Sequence, residues 1–169
     1  DNRRPLVILA PKSLLRSAAA ASSLNDLAAG SFQPVIHHED PQADKVARLV
    51  LASGKMAIEL DAARGERDGN SSGVVLARVE LLYPFPREEL SALVSGYPNL
   101  RHVVWAQEEP ENMGAWSYIA PRLRQVLPEN VPLCYVGRPR RASPAEGSPI
   151  VHGEEQNRII QCALEGEHG

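Results

Sequence analysis

Short aliphatic runs alternate with stretches in which apolar side chains recur every three or four positions, and the alternation continues along almost the whole chain. Runs of the first kind suit strands covered on both faces, and the second kind suits helices with one buried stripe. Residues 5–10 (PLVILA) read as a buried strand that Pro11 interrupts. Residues 13–29 read as a helix, with Leu14, Leu15, Ala18, Leu24, Leu27 and Ala28 at helical spacing and Gly30 as its stop. A short extended piece over 33–36 precedes a polar turn at 37–42. Residues 47–52 are predicted as a strand, Ser53-Gly54 as a turn and 55–64 as a helix, followed by a Gly/Ser/Asp-rich loop over 65–73.

Residues 74–80 read as a further strand, stopped by Pro84-Phe85-Pro86, and 87–94 as a short helix. Residues 101–107 give the next strand. Asn112 is placed to cap a helix reaching to about residue 127, in which Pro121 is expected to force a kink or a restart. The last strand covers 131–136, and a basic, Pro-rich loop over 137–149 leads to a final helix at 152–164. This order predicts an α/β layer structure around a mostly parallel sheet, in which functional groups gather at the carboxyl ends of the strands. With no internal repeat and no long linker, residues 1–169 are expected to form a single domain.

Composition narrows the class. The 169 residues are 43% hydrophobic and 23% charged, which suits one globular domain and excludes collagen, coiled coil and disorder. Eighteen basic against twenty-one acidic side chains leave a net charge of −3, so nucleic acid and anionic membranes exert no general attraction. No run of about 18 apolar residues exists to span a bilayer. The chain opens on Asp1, without an initiator Met or an apolar signal segment, and is therefore expected to be a piece of a longer polypeptide. Cys134 and Cys162 are too few and too far apart for a disulfide framework or a zinc site. They read as small core residues in a reducing, cytosol-like compartment.

Candidate chemistry is sparse. No G-x-G-x-x-G follows the first strand and no Walker sequence occurs. Ser53-Gly54-Lys55 can hold an anion weakly at a helix start, but it reads first as an ordinary tight turn with a solvated Lys. His37-His38-Glu39-Asp40 has poor ligand geometry, because adjacent side chains point apart, and reads as a solvated acidic loop. The densest polar cluster is Gln107-Glu108-Glu109-Pro110-Glu111-Asn112, at a strand end and bracketed by Trp105 and Trp116. It offers acid/base work if burial raises one carboxyl, or else solvated carboxylates with Glu111 favouring a helix N-terminus. Aromatics beside charges also typify subunit interfaces. The loop Gly137-Arg138-Pro139-Arg140-Arg141 suits a phosphate, a facing acidic surface or solvent.

Taken in order, RPLVILAPKSLLR (4–16), SSL (22–24), ASGK (52–55), VELLYPFP (79–86), VVWAQEEPENMGAW (103–116) and GRPRRASPAEG (137–147) resemble the carboxyl-terminal domain of the 2-oxoglutarate dehydrogenase decarboxylating component. QEEPxNxGAW and GRPxxASPAxG are the specific strings, and the resemblance covers nearly the whole chain. It implies a fold similar to the transketolase carboxyl-terminal domain, a three-layer α/β/α sandwich around a five-stranded, mostly parallel sheet with one antiparallel edge strand. It implies a parent enzyme that uses thiamine diphosphate and Mg to decarboxylate 2-oxoglutarate and passes the succinyl group to the succinyltransferase component, in the tricarboxylic acid cycle. Such a parent resides in the bacterial cytoplasm or the mitochondrial matrix.

The resemblance assigns no catalytic, cofactor-binding or metal-binding residue to this chain. Arg67-Asp68-Gly69-Asn70 lacks the first Gly of the family's G-D-G…N metal motif. The implied work is to support a homodimer and the preceding domains, and in relatives to take part in regulation by AMP or acetyl-CoA. Lys12, Ser13 and Arg16 of PKSLLR are expected to face the preceding domain. Glu108, Glu109, Asn112 and Trp116 are expected to look toward the dimer and active-site side. Lys55, Arg138 and Arg140 form a possible anion or allosteric site, and Ser143 belongs to the same loop motif. Ser17 after SLLR and Met56 after SGK depart from the family's usual residues. The rival readings are the same domain of a 2-oxoadipate dehydrogenase, a stand-alone nucleotide or acyl-CoA module, and a small hydrolase that lacks an evident nucleophile.

Overall fold

The computed structural model describes residues 4–5, 7–38, 40, 42–65 and 73–165. These fall into two compact units, Asp1–Ser31 and Phe32–Gly169.

The first unit holds two 3-10 turns, Lys12–Leu14 and Ala18–Ala20, and helix α1, Leu24–Ala29. Helix α1 starts where Ser23 and Asp26 cap each other: the Asp26 N–H donates to the Ser23 hydroxyl at 3.1 Å and the Ser23 N–H donates to the Asp26 carboxylate at 3.3 Å. The long helix expected over 13–29 is thus broken into three short pieces, none of them with a buried residue. The strand expected over 5–10 does not form in its described residues, which are exposed and irregular. An amphipathic stripe supports a continuous helix only where something packs against it.

The second unit contains the whole sheet. Its strands are β1 (Val35–His37), β2 (Arg48–Ala52), β3 (Val74–Val79), β4 (His102–Pro110) and β5 (Leu133–Arg138). Their order is β1-β3-β2-β4-β5, with β1 antiparallel to β3 and every other pairing parallel. Five strands and one antiparallel edge are present, but the fifth strand is the short piece near residue 35, since the 5–10 run forms none in its described residues.

Helices cover both faces. Strand alternation sends Leu49, Leu51, Val75, Ala77, Val103 and Trp105 to one side, where α3 (Arg87–Ser95) and α4 (Trp116–Leu123) supply Leu90, Leu93, Ile119 and Leu123. Val50, Ala52, Leu76, Val104 and Ala106 face the other side, against Met56, Ala57 and Leu60 of α2 (Gly54–Gly65) and Ile159 and Ala163 of α5 (Pro149–Glu165). This is the three-layer sandwich.

Several boundaries differ from the sequence reading: β5 covers 133–138 and not 131–136, and α5 begins at Pro149 and not at 152. Strand β4 runs on through the polar string to Pro110, and α4 begins at Trp116, so Asn112 does not cap it; Ala115 holds that position. Pro121 lies inside the helix, which continues to Leu123. Among the described residues, no helix is long and apolar enough to cross a membrane.

Candidate functional site at the carboxyl edge

In the order β3-β2-β4-β5, the chain leaves β2 toward β3 and returns on the far side of β2 as β4. The carboxyl ends of β2 and β4 therefore flank the switch point where open α/β sheets form a crevice. Lys55, in the first turn after β2, lies at this point and places Nζ 3.0 Å from Oε2 of Glu108 at the end of β4. Burial lowers the Lys55 pKa, but the hydrogen bond and charge of Glu108, reinforced by Glu59, outweigh it and leave it raised.

The contact belongs to a closed ring of six side chains. Lys55 also meets Glu59 at 3.2 Å, and Glu59 accepts from Gln156 Nε2 at 2.5 Å. The Gln156 carbonyl accepts from both terminal nitrogens of Arg138 at 3.4 Å, and Arg138 Nη2 lies 3.2 Å from His152 Nδ1. His152 Nε2 closes the circuit 3.8 Å from Glu108 Oε1. Helices α2 and α5 are thereby tied to each other across the strand ends.

Arg138 is the hub. It is the last residue of β5 and not a loop cation, with 1% of its surface exposed. Its Nε donates to both carboxylate oxygens of Glu146, at 3.0 and 2.8 Å, and Nη1 donates to the Glu108 carbonyl. Arg141 Nη1 reaches the same Glu146 at 2.6 Å. Burial raises the pKa of Glu146, but hydrogen bonds from Arg138, its own backbone N–H and Arg141 together hold the carboxyl below the usual range.

On the opposite face Gln107 organises the other motif. Its carbonyl accepts from Trp105 Nε1 at 2.9 Å and from the Trp116 N–H at 3.0 Å, while Nε2 donates to the Met113 carbonyl at 2.9 Å. The turn that brings Met113 and Trp116 back to Gln107 needs Gly114, whose φ is +62°. A Cβ there would stand 3.0 Å from both Gln107 Nε2 and Glu109 Oε2. Asn112 spans the two motifs: Nδ2 donates to the Arg141 carbonyl at 3.0 Å and Oδ1 accepts from the Arg141 N–H at 3.1 Å. Tyr135 Oη lies 2.9 Å from the carbonyls of Glu109 and Arg138, and burial pushes its pKa up to about 12.

The strand thus separates the carboxylates that the sequence had grouped. Glu108 points to the α2/α5 layer and Glu109 to the Gly114 turn, and Glu111 follows in a turn instead of entering a helix. Trp116 packs against Tyr135 with ring centroids 5.2 Å apart. Lys12 and Ser13 lie on the first 3-10 turn and Arg16 shortly after it, all exposed, and Arg140 and Ser143 are exposed on the 139–147 loop. Among the described residues, no group of three potential ligands converges to hold a metal, and the 67–70 string lies outside the described residues. Sequence reading missed Glu59, Gln156, His152 and above all Glu146. The available signal was a charged Arg138 ending an aliphatic run.

The sheet order, the two helical layers and the ion-paired carboxyl edge define a three-layer α/β domain that fastens its own active-edge loops to one another. The chain belongs to the 2-oxoglutarate dehydrogenase C-terminal family, which matches residues 21–164. It is 50% identical over 163 residues to a 2-oxoglutarate dehydrogenase E1 component of Geobacillus sp., 49% to that of Bacillus licheniformis and 47% to that of Bacillus subtilis. Each match covers 95% of this chain and 17% of the relative, so the chain spans about one sixth of the length of these proteins.

Proposed function

We propose that these residues form the supporting C-terminal domain of an E1 component that decarboxylates 2-oxoglutarate with thiamine diphosphate and Mg and hands the succinyl group to a succinyltransferase. The observation that carries the reading is the family match together with 50% identity to an E1 component over 95% of the chain. The bacterial relatives favour a cytoplasmic enzyme.

The charged residues of the carboxyl edge suit the cofactor poorly. Magnesium and a diphosphate need convergent, uncommitted donors, whereas Glu108 is held by Lys55 and Glu146 by two guanidiniums. Arg138 likewise directs its donors at protein acceptors. This supports placing cofactor and substrate in the remainder of the parent, with residues 1–169 as one domain that buttresses them. Lys12, Ser13 and Arg16 then face the preceding domain, and Glu109, Asn112 and Trp116 lie toward the second protomer. No observation favours the nucleotide module, since Lys55 and Arg138 are already engaged; only Arg140 of that set stands exposed.

The test is turnover by the 169-residue chain and by the full-length parent, each with thiamine diphosphate, Mg, 2-oxoglutarate and an artificial electron acceptor. Activity in the parent alone is expected. Turnover by the isolated chain, or a parent that prefers 2-oxoadipate in kcat/KM, overturns it.

A further inference from the structure

The run PLVILA over 5–10 is apolar at every position, a pattern of strands covered on both faces. Yet Val7, Ile8 and Leu9 are 77%, 75% and 94% exposed, and no strand forms over 7–10. Pro5 and Pro11 bracket the run, and because neither has a backbone N–H, they limit any pairing to the residues between them. Pro11 is already extended, with φ −63° and ψ 129°. Among the described residues of the first unit none is buried, and Leu15, Leu24 and Leu27 are exposed as well. Contiguous exposed aliphatics of this extent mark a surface that something covers.

We propose that residues 7–10 are a strand contributed to a sheet lying elsewhere in the parent polypeptide, in a position covered on both faces. This rests on the reading of the chain as a domain of an E1 component. The occupant follows from three observations. First, 17% coverage leaves about five sixths of such a protein outside these residues. Second, an edge-to-edge pairing of the same strand between two copies is antiparallel by symmetry and leaves both faces open, which an all-apolar run does not suit. Third, Arg4, Lys12 and Arg16 flank the run in a chain of net charge −3, so the receiving surface should carry an acidic rim. Main-chain hydrogen bonds would fix the strand, and Val7, Ile8 and Leu9 would fill alternate sides of it.

Hydrogen exchange with mass-spectrometric readout tests this on the full-length parent and on the 169-residue chain. The amides of Val7, Ile8 and Leu9 are expected to exchange at least ~100-fold more slowly in the parent, and near the unprotected rate in the chain alone. Ile8→Asp is expected to abolish that protection in the parent and to leave the Tm of the isolated chain unchanged. Equal exchange in both proteins overturns the proposal. So does protection in the isolated chain accompanied by a dimeric mass, which would make a second copy the occupant. A parent that turns over 2-oxoglutarate with unprotected amides refutes the strand alone, whereas a protected but inactive parent refutes the function alone.

Discussion

Arg138 and Glu146 stand at the two ends of one loop and close it: Arg138 Nε meets both carboxylate oxygens, at 3.0 and 2.8 Å, with side chains 1% and 5% exposed. The strings GRP and AEG are thus the two halves of a clasp, and the residues between them form an anchored loop.

Removing the guanidinium should leave the Glu146 carboxylate with only Arg141 and its own backbone N–H as hydrogen-bond partners, and take from Arg138's neighbours the donors they now accept from. Arg138→Met is expected to lower stability by about 3–5 kcal/mol, read as a shift in the urea midpoint. The double variant Arg138→Met/Glu146→Leu should recover much of the loss. A double variant no better than the single would show that packing of Arg138, not its charge, sustains the loop.

The clasp also sets an acid limit. The carboxyl of Glu146 is held below its ordinary value, so its contribution is complete above the unfolded range near 4.5 and is lost as pH falls through the lower folded value. Thermal melts from pH 7 to pH 3 should therefore steepen below about pH 4.5 in the wild type and flatten in Glu146→Gln. Parallel slopes in the two proteins would count against it.

At the alkaline end the sign reverses through Tyr135. Its pKa, raised by burial to about 12, keeps the folded phenol protonated while the unfolded one ionises near 10. Stability should fall between those values, and Tyr135→Phe should remove that part of the slope. Absorbance near 295 nm should show a late phenol titration that Tyr135→Phe removes; a variant with an unchanged titration curve would contradict the buried contacts to Glu109 and Arg138.

The Gly114 turn is predicted to tolerate no side chain. Gly114→Ala combines a φ of +62° with a Cβ 3.0 Å from Gln107 Nε2 and should cost about 1–2 kcal/mol in backbone strain alone. Because the displaced Gln107 also holds Trp105 Nε1, tryptophan emission should shift to the red. Unchanged emission and stability would mean that the turn relaxes without disturbing Gln107.

Much of the second unit was legible because its parts supply one another's environment. The runs at 49–52, 74–77 and 133–136 are mostly aliphatic, and they became strands because helices from the same unit cover both faces. The first unit defeated the same rules: Val7, Ile8 and Leu9 of PLVILA and Leu15, Leu24 and Leu27 carry the pattern yet stand exposed. At the edge, Lys55 and Glu108 were singled out by position, but their pairing was not visible, because it depends on β4 continuing to Pro110 and turning Glu108 away from Glu109. Glu146 escaped notice since proximity across a loop leaves no periodic trace.

The clamp between Asn112 and Arg141 distributes constraint unequally between its two members. Asn112 uses its amide side chain at both ends, whereas Arg141 answers with backbone N–H and C=O that any residue except proline would supply. In an alignment of such domains the first column should stay asparagine. The second should be free to drift wherever Glu146 already has its partner in Arg138, so one contact would leave a deep imprint at one position and almost none at the other.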